Sequence, residues 1–163
     1  MNIAGLSIRS RITTAVVVAS VVLAALVLAP ATAAAQAYTT NRTLRLTEAS
    51  RLLTMALALN KEALAKIQAL NDPASPEIPG IIQLLHQAYD LQARSTTPVD
   101  GIIRASRLVP EPLLERYSTL TSTASKPATM RAAGALAAGQ IQEAMGHLTA
   151  AIAVQTEQLE LLF

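Results

Sequence analysis

The sequence predicts an all-α fold: two long helices packed antiparallel, short helices between them, and an N-terminal transmembrane or signal helix in front. Three observations carry that reading. The 163 residues are 52% hydrophobic but only 2% aromatic, a composition that suits Ala/Leu-rich helices and leaves few of the residues that sheets favour. Two stretches, one near each end, repeat small or apolar residues every seven positions. An uncharged apolar run, residues 12–29, lies close to the N-terminus with Arg9 and Arg11 just before it.

That run has 18 residues, against about 20 for a helix that crosses a bilayer. The two arginines keep residues 1–11 in the cytoplasm by the positive-inside rule. Residues 12–37 then read in one of two ways. As an anchor, the segment meets the membrane through residues 12–29, and its small residues four apart (Ala15/Ala19, Ser20/Ala24, Ala25/Ala29) let two such helices approach closely. As a signal peptide, it ends after Pro30 at Ala35-Gln36-Ala37 or at Ala31-Thr32-Ala33, both of the small-x-small form. Either way residues 38–163 are expected outside the cytoplasm. The expected location is a bacterial inner membrane, single-pass with a periplasmic domain; the alternative is a periplasmic or secreted protein cleaved near Ala37.

The first long helix is expected over residues 40–70. Leu46, Leu53, Asn60 and Ile67 fall in one seven-residue series, and Ala49, Ala56, Ala63 and Leu70 in its partner. Leu52, Leu57, Leu59 and Leu64 widen the apolar face, so a homodimer or partner-protein surface is expected there. Asn71-Asp72-Pro73 stops the helix, and Ser75-Pro76-Glu77 reads as the next start, with Ser75 as cap. Ile78, Ile82, Leu85 and Tyr89 form the next stripe, and Ser95 to Pro98 is expected to break it. Asp100 then caps a short helix, Pro112 opens another, and the polar run 121–125 turns. The second long helix is expected from Lys126 to the C-terminus, with Met130, Ala137, Ala144 and Ala151 in one series and Ile141, Leu148, Gln155 and Leu162 in the other.

The chemistry-bearing residues point away from catalysis. The two histidines, His86 and His147, have no second histidine or carboxylate at a recognised metal-ligand spacing. There is no cysteine, so no thiol nucleophile or thiolate ligand exists. Gly134 and Gly139 have the spacing of a phosphate loop but lack the Lys and Ser/Thr that must follow. No catalytic residue, metal or cofactor is expected, and the chain does not read as an enzyme. Of 13 Lys and Arg, Arg9 and Arg11 precede the apolar run while all 11 acids follow it. Residues 38–163 thus carry 11 bases against 11 acids, which leaves no footprint for nucleic acid. Asn60 and Gln155 are the candidate binding residues, because each interrupts an apolar seam. Buried amides fix register between helices, or face a ligand held between them.

Two resemblances add to this reading. Leu6-Ser7-Ile8-Arg9-Ser10-Arg11-Ile12 before a spanning run resembles the start of bacterial chemoreceptors and sensor kinases, and Arg51 to Glu62 is similar to the first bundle helix of some of their sensor domains. That likeness implies a periplasmic bundle that senses a small ligand or a partner protein, as in chemotaxis. Those families also carry a second spanning segment and an output module, which the 163 residues do not include, so the chain is expected to be either the sensory fragment of a longer protein or a stand-alone protein of similar shape; Glu157 and Glu160 argue against a span in the last turns. Residues 155–162, Gln-Thr-Glu-Gln-Leu-Glu-Leu-Leu, resemble the final helix of minor-pilus subunits of type IV secretion systems. This second likeness implies a cleaved, periplasmic structural or adhesion-type subunit.

Overall fold

Steps of three and four residues keep side chains on one stripe of a helix, and such steps build this bundle. The computed structural model describes the backbone of residues 4–106 and 110–163 and the side chains of residues 33–106 and 110–163. Five α-helices occur there: α1 (Ala4–Ala69), α2 (Ile78–Ala105), α3 (Pro112–Leu120), α4 (Lys126–Ala137) and α5 (Ile141–Glu160). A single π-helical turn, Thr121–Ser125, joins α3 to α4. No strand occurs among the described residues.

The chain forms two compact units, residues 1–42 and 43–163. In the first, the backbone is helical from Ala4 onward and the side chains at 33–41 are exposed. The apolar run 12–29 lies outside the residues whose side chains are described. Among the described residues no helix is long and apolar enough to cross a membrane.

The second unit is a four-helix arrangement, with α3, the π turn and α4 acting as one rod. On α1 the buried seam is Leu46, Ala49, Leu53, Ala56, Asn60, Ala63 and Ile67, as the sequence predicts except for Leu70, which lies past the helix end and is only half-buried. The helix stops at Ala69, where Asp72 takes over: its Oδ1 accepts from the Ala74 amide at 2.8 Å. Ser75 does not cap α2. Its Oγ accepts from the Glu77 amide at 3.3 Å within a turn, and the helix starts at Ile78 with Pro79 in its first turn.

The expected break at Ser95 to Pro98 does not occur. Ile78, Ile81, Leu85, Ala88, Gln92, Ser95, Val99 and Ile102 are all buried, an unbroken three-four series through Pro98. Burial of the second half outweighs the roughly 3 kcal/mol that a proline costs inside a helix. Ser95 and Thr96 bond back to the carbonyls of Gln92 (2.8 Å) and Ala93 (2.7 Å) in the turn before it. Asp100 therefore caps nothing. It sits within α2, and its Oδ1 accepts from Ser118 Oγ at 2.9 Å, tying α2 to α3.

The π turn has a reason in the spacing. The inward positions run Leu114, Tyr117, Thr121, Ser125, Thr129, Ala132 and Leu136. Three successive steps of four carry one residue more than an α-helical seam accepts, and the wide turn absorbs it.

The expected unbroken C-terminal helix divides at Gly139. Gly139 has φ 72°, its amide bonds the Leu136 carbonyl (3.0 Å), and the Gln140 amide bonds the Ala135 carbonyl (2.9 Å). This is the Schellman closure, and it reverses the chain. Met130 and Ala137 are consequently not in phase with α5. Met130 is exposed, and the α4 seam is Thr129, Ala132 and Leu136 instead. On α5, Ala144, Leu148, Ala151 and Gln155 face inward as the sequence predicts, and so does Leu162 just past its end; Ile141, at its start, is half-buried.

The core falls into two clusters. One gathers Ala63 and Ile67 with Ile78, Ile81 and Leu85, the alanines and Leu136 of α4, and Ala144, Leu148 and Ala151. The other gathers Leu46, Ala49 and Leu53 with Val99, Ile102, Leu114, Tyr117 and Leu162. The end of α1 thus meets the start of α2, the end of α4 and the start of α5, so successive rods run antiparallel.

Candidate functional site

Between the two apolar clusters lies a layer of buried polar side chains. Asn60 of α1, Gln92 of α2, Thr129 of α4 and Gln155 of α5 are each fully buried. Their positions follow from the seams: each occupies a core slot that a leucine or alanine fills one heptad away.

The bonds are specific. Asn60 Nδ2 donates to Thr129 Oγ1 at 3.2 Å and to Gln155 Oε1 at 3.0 Å. Gln92 Nε2 donates to the same Thr129 Oγ1 at 3.0 Å, and that hydroxyl donates to the Ser125 carbonyl at 3.0 Å. Thr129 is therefore saturated, with two bonds accepted and one given. Asn60 and Gln155, the two residues that the sequence singles out, are brought into direct contact across 95 positions of chain.

A second tier continues the network toward the other cluster. Tyr117 Oη donates to Ser95 Oγ at 2.7 Å. Gln158 Nε2 donates to the Tyr117 carbonyl at 3.2 Å and also to Thr121 Oγ1. Burial pushes the Tyr117 hydroxyl up to about 12, and the nearby Asp100 charge adds to the rise; bonds to Ser95 and Thr121 oppose it.

The network is incomplete within the protein. Asn60 Oδ1, Gln92 Oε1, Ser125 Oγ, Gln155 Nε2 and Gln158 Oε1 are buried and have no partner among the described residues. Leaving such a group unbonded costs about 1–3 kcal/mol. The layer is neutral, without a carboxylate or an ammonium, so it suits hydrogen-bonding chemistry and offers no acid or base.

Gln92, Thr129 and Gln158 are not among the candidates that sequence reasoning supplies. Gln92 has a readable signal, since it continues the three-four series of α2. Thr129 does not, because the phase of α4 depends on the turn at Gly139.

Outside the layer, an open groove of about 560 Å³ runs between α1 and α2. Met55, Ala58, Leu59 and Leu91 line it, with Asp90 and Arg94 beside them. Ala58 and Leu59 precede Asn60 and Leu91 precedes Gln92, so the groove follows the same turns that carry the layer. The histidines lie elsewhere: His86 is exposed, and His147 Nε2 stands 3.5 Å from Glu143 one turn away on α5, contrary to the expectation that no carboxylate stands at such a spacing from it. Among the described residues no three His, Cys, Asp or Glu side chains come together to hold a metal.

Comparison with protein-family models, with curated proteins and with solved structures returns no match.

Proposed function

We propose that this chain is an extracytoplasmic sensory or interaction domain that binds a small ligand or a partner protein through helix packing. Residues 12–37 are the anchor that holds it at the membrane. The observation behind this reading is the amide layer, one polar side chain from each rod, parts of which find no partner among the described residues. Such a layer divides the core into two halves with alternative packings, and packed interfaces shift between discrete arrangements by small helix translations. Asn60 and Gln155 are the contacts through which an occupant would act, and the α1/α2 groove is the face open to it.

The test is the intact mass of the protein after membrane and periplasmic fractionation of the producing cell. Full-length protein in the membrane fraction is expected. Loss of about 37 residues at a small-x-small site, with recovery from the periplasm, would replace the anchored sensor with a secreted structural or adhesion subunit of the minor-pilus kind. Recovery of the uncut chain from the cytosol would overturn both.

A further inference from the structure

We propose that the amide layer is a binding site for water, with one internal molecule shared by Asn60, Gln92 and Gln155. The proposal does not depend on how the chain is located, but it concerns the same two amides, Asn60 and Gln155, so an occupant acting through them would have to displace this water.

The bonds in the layer leave a definite remainder. Asn60 uses both amide hydrogens and neither lone pair of Oδ1. Gln92 uses one hydrogen of Nε2, and its Oε1 is unbonded. Gln155 accepts through Oε1, and its Nε2 donates to nothing. What remains without any partner is two acceptor oxygens and one donor nitrogen, from three different helices of the same layer. Turning the amides over does not remove it. Exchanging O and N on Asn60 and Gln155 together reverses the bond between them and leaves an unbonded donor on one and an unbonded acceptor on the other.

The occupant must match that remainder. It has to donate twice and accept once, which rules out a simple cation or anion. It has to be neutral, because no charged group lies in the layer to offset a buried charge. It has to be small, because all four side chains of the layer are fully buried. Water fits all three conditions, and internal waters typically make about three hydrogen bonds to groups otherwise unsatisfied. Ser125 Oγ and Gln158 Oε1, one turn away, are a donor and an acceptor of the same kind and extend the site toward the second tier.

A crystal structure of the full chain at a resolution that shows ordered solvent tests this. The expected result is one spherical density peak within hydrogen-bond distance of Asn60, Gln92 and Gln155. Water-oxygen relaxation dispersion on the same protein in solution should show at least one long-lived internal molecule, lost in the Gln92→Leu variant. Two crystallographic results would overturn the proposal. One is a dry layer in which the three amides pair with one another, and the other is density too large for water, which would make the layer a site for a small organic ligand. The wild-type data decide the matter even if the variant does not fold.

Discussion

Tyr117 is the residue whose chemistry ties stability to pH. Its hydroxyl is buried, bonded to Ser95, and raised to about 12, above the ordinary value of about 10. Between those two values the folded chain holds a proton that the unfolded chain has lost, so stability falls as pH rises from about 10 to about 12. Two units correspond to roughly 2–3 kcal/mol, and below pH 10 the contribution is constant. Denaturant titrations of wild type and Tyr117→Phe across pH 8–12 should diverge above pH 10, with the variant losing the steeper alkaline decline. Equal slopes would mean that the hydroxyl ionises without leaving the core. Gly139 makes a different residue-scale prediction. With φ 72° it holds the left-handed turn between α4 and α5, where a Cβ costs about 1–2 kcal/mol, so Gly139→Ala should lower Tm by several degrees. Gly134 and Gly146 lie within helices with open space at the Cβ position, and Ala at either should raise stability by about 0.5–1 kcal/mol.

At the scale of elements, the comparison of sequence with structure turns on which local signals are overruled. The α1 seam is legible because Leu46 to Ile67 keep their spacing without a breaker. The second half of α2 is obscured by Ser95-Thr96-Thr97-Pro98, whose turn chemistry is real but weaker than the burial of Ser95, Val99 and Ile102. The reversal at Gly139 is not legible, because three glycines stand in one Ala-rich stretch and only tertiary packing selects among them. Asn60 and Gln155 stand out as polar interruptions of a heptad series, whereas the three-four series that Gln92 continues is hidden by the turn-like residues that follow it. The π turn yields the sharpest test at this scale. Deleting Thr123 returns the run from Leu114 to Leu136 to alternating steps of three and four, which a plain α-helix satisfies. The deletion should fold with unchanged helical circular dichroism and a Tm at least equal to wild type. An alanine inserted at the same point adds a second surplus residue and should turn Leu114 and Tyr117 out of the core, with loss of cooperative melting.

At the scale of the whole molecule, the amide layer sets one apolar half against the other. A fully apolar seam of alanine and leucine would let the rods slide by a heptad with little penalty, since one Ala/Leu layer resembles the next. Asn60, Gln92, Thr129 and Gln155 meet in only one register, because each donor finds its acceptor at one height. The cost of that specificity is the set of polar atoms around them that the layer's own side chains leave unpaired. Replacing the layer together (Asn60→Leu, Gln92→Leu, Thr129→Val, Gln155→Leu) removes both the bonds and the unbonded groups while roughly keeping volume. Replacing both partners of a buried neutral hydrogen bond by apolar groups of the same shape is nearly neutral or stabilising, so the chain should be at least as stable as wild type. It should also lose its single arrangement, visible as broadened or doubled amide resonances or as a mixture of oligomers by sedimentation. A variant that is more stable and keeps one sharp set of resonances would show that the alanine and leucine layers alone fix the register. A variant that is less stable would show that the network, with whatever completes it, contributes more than its unbonded atoms cost.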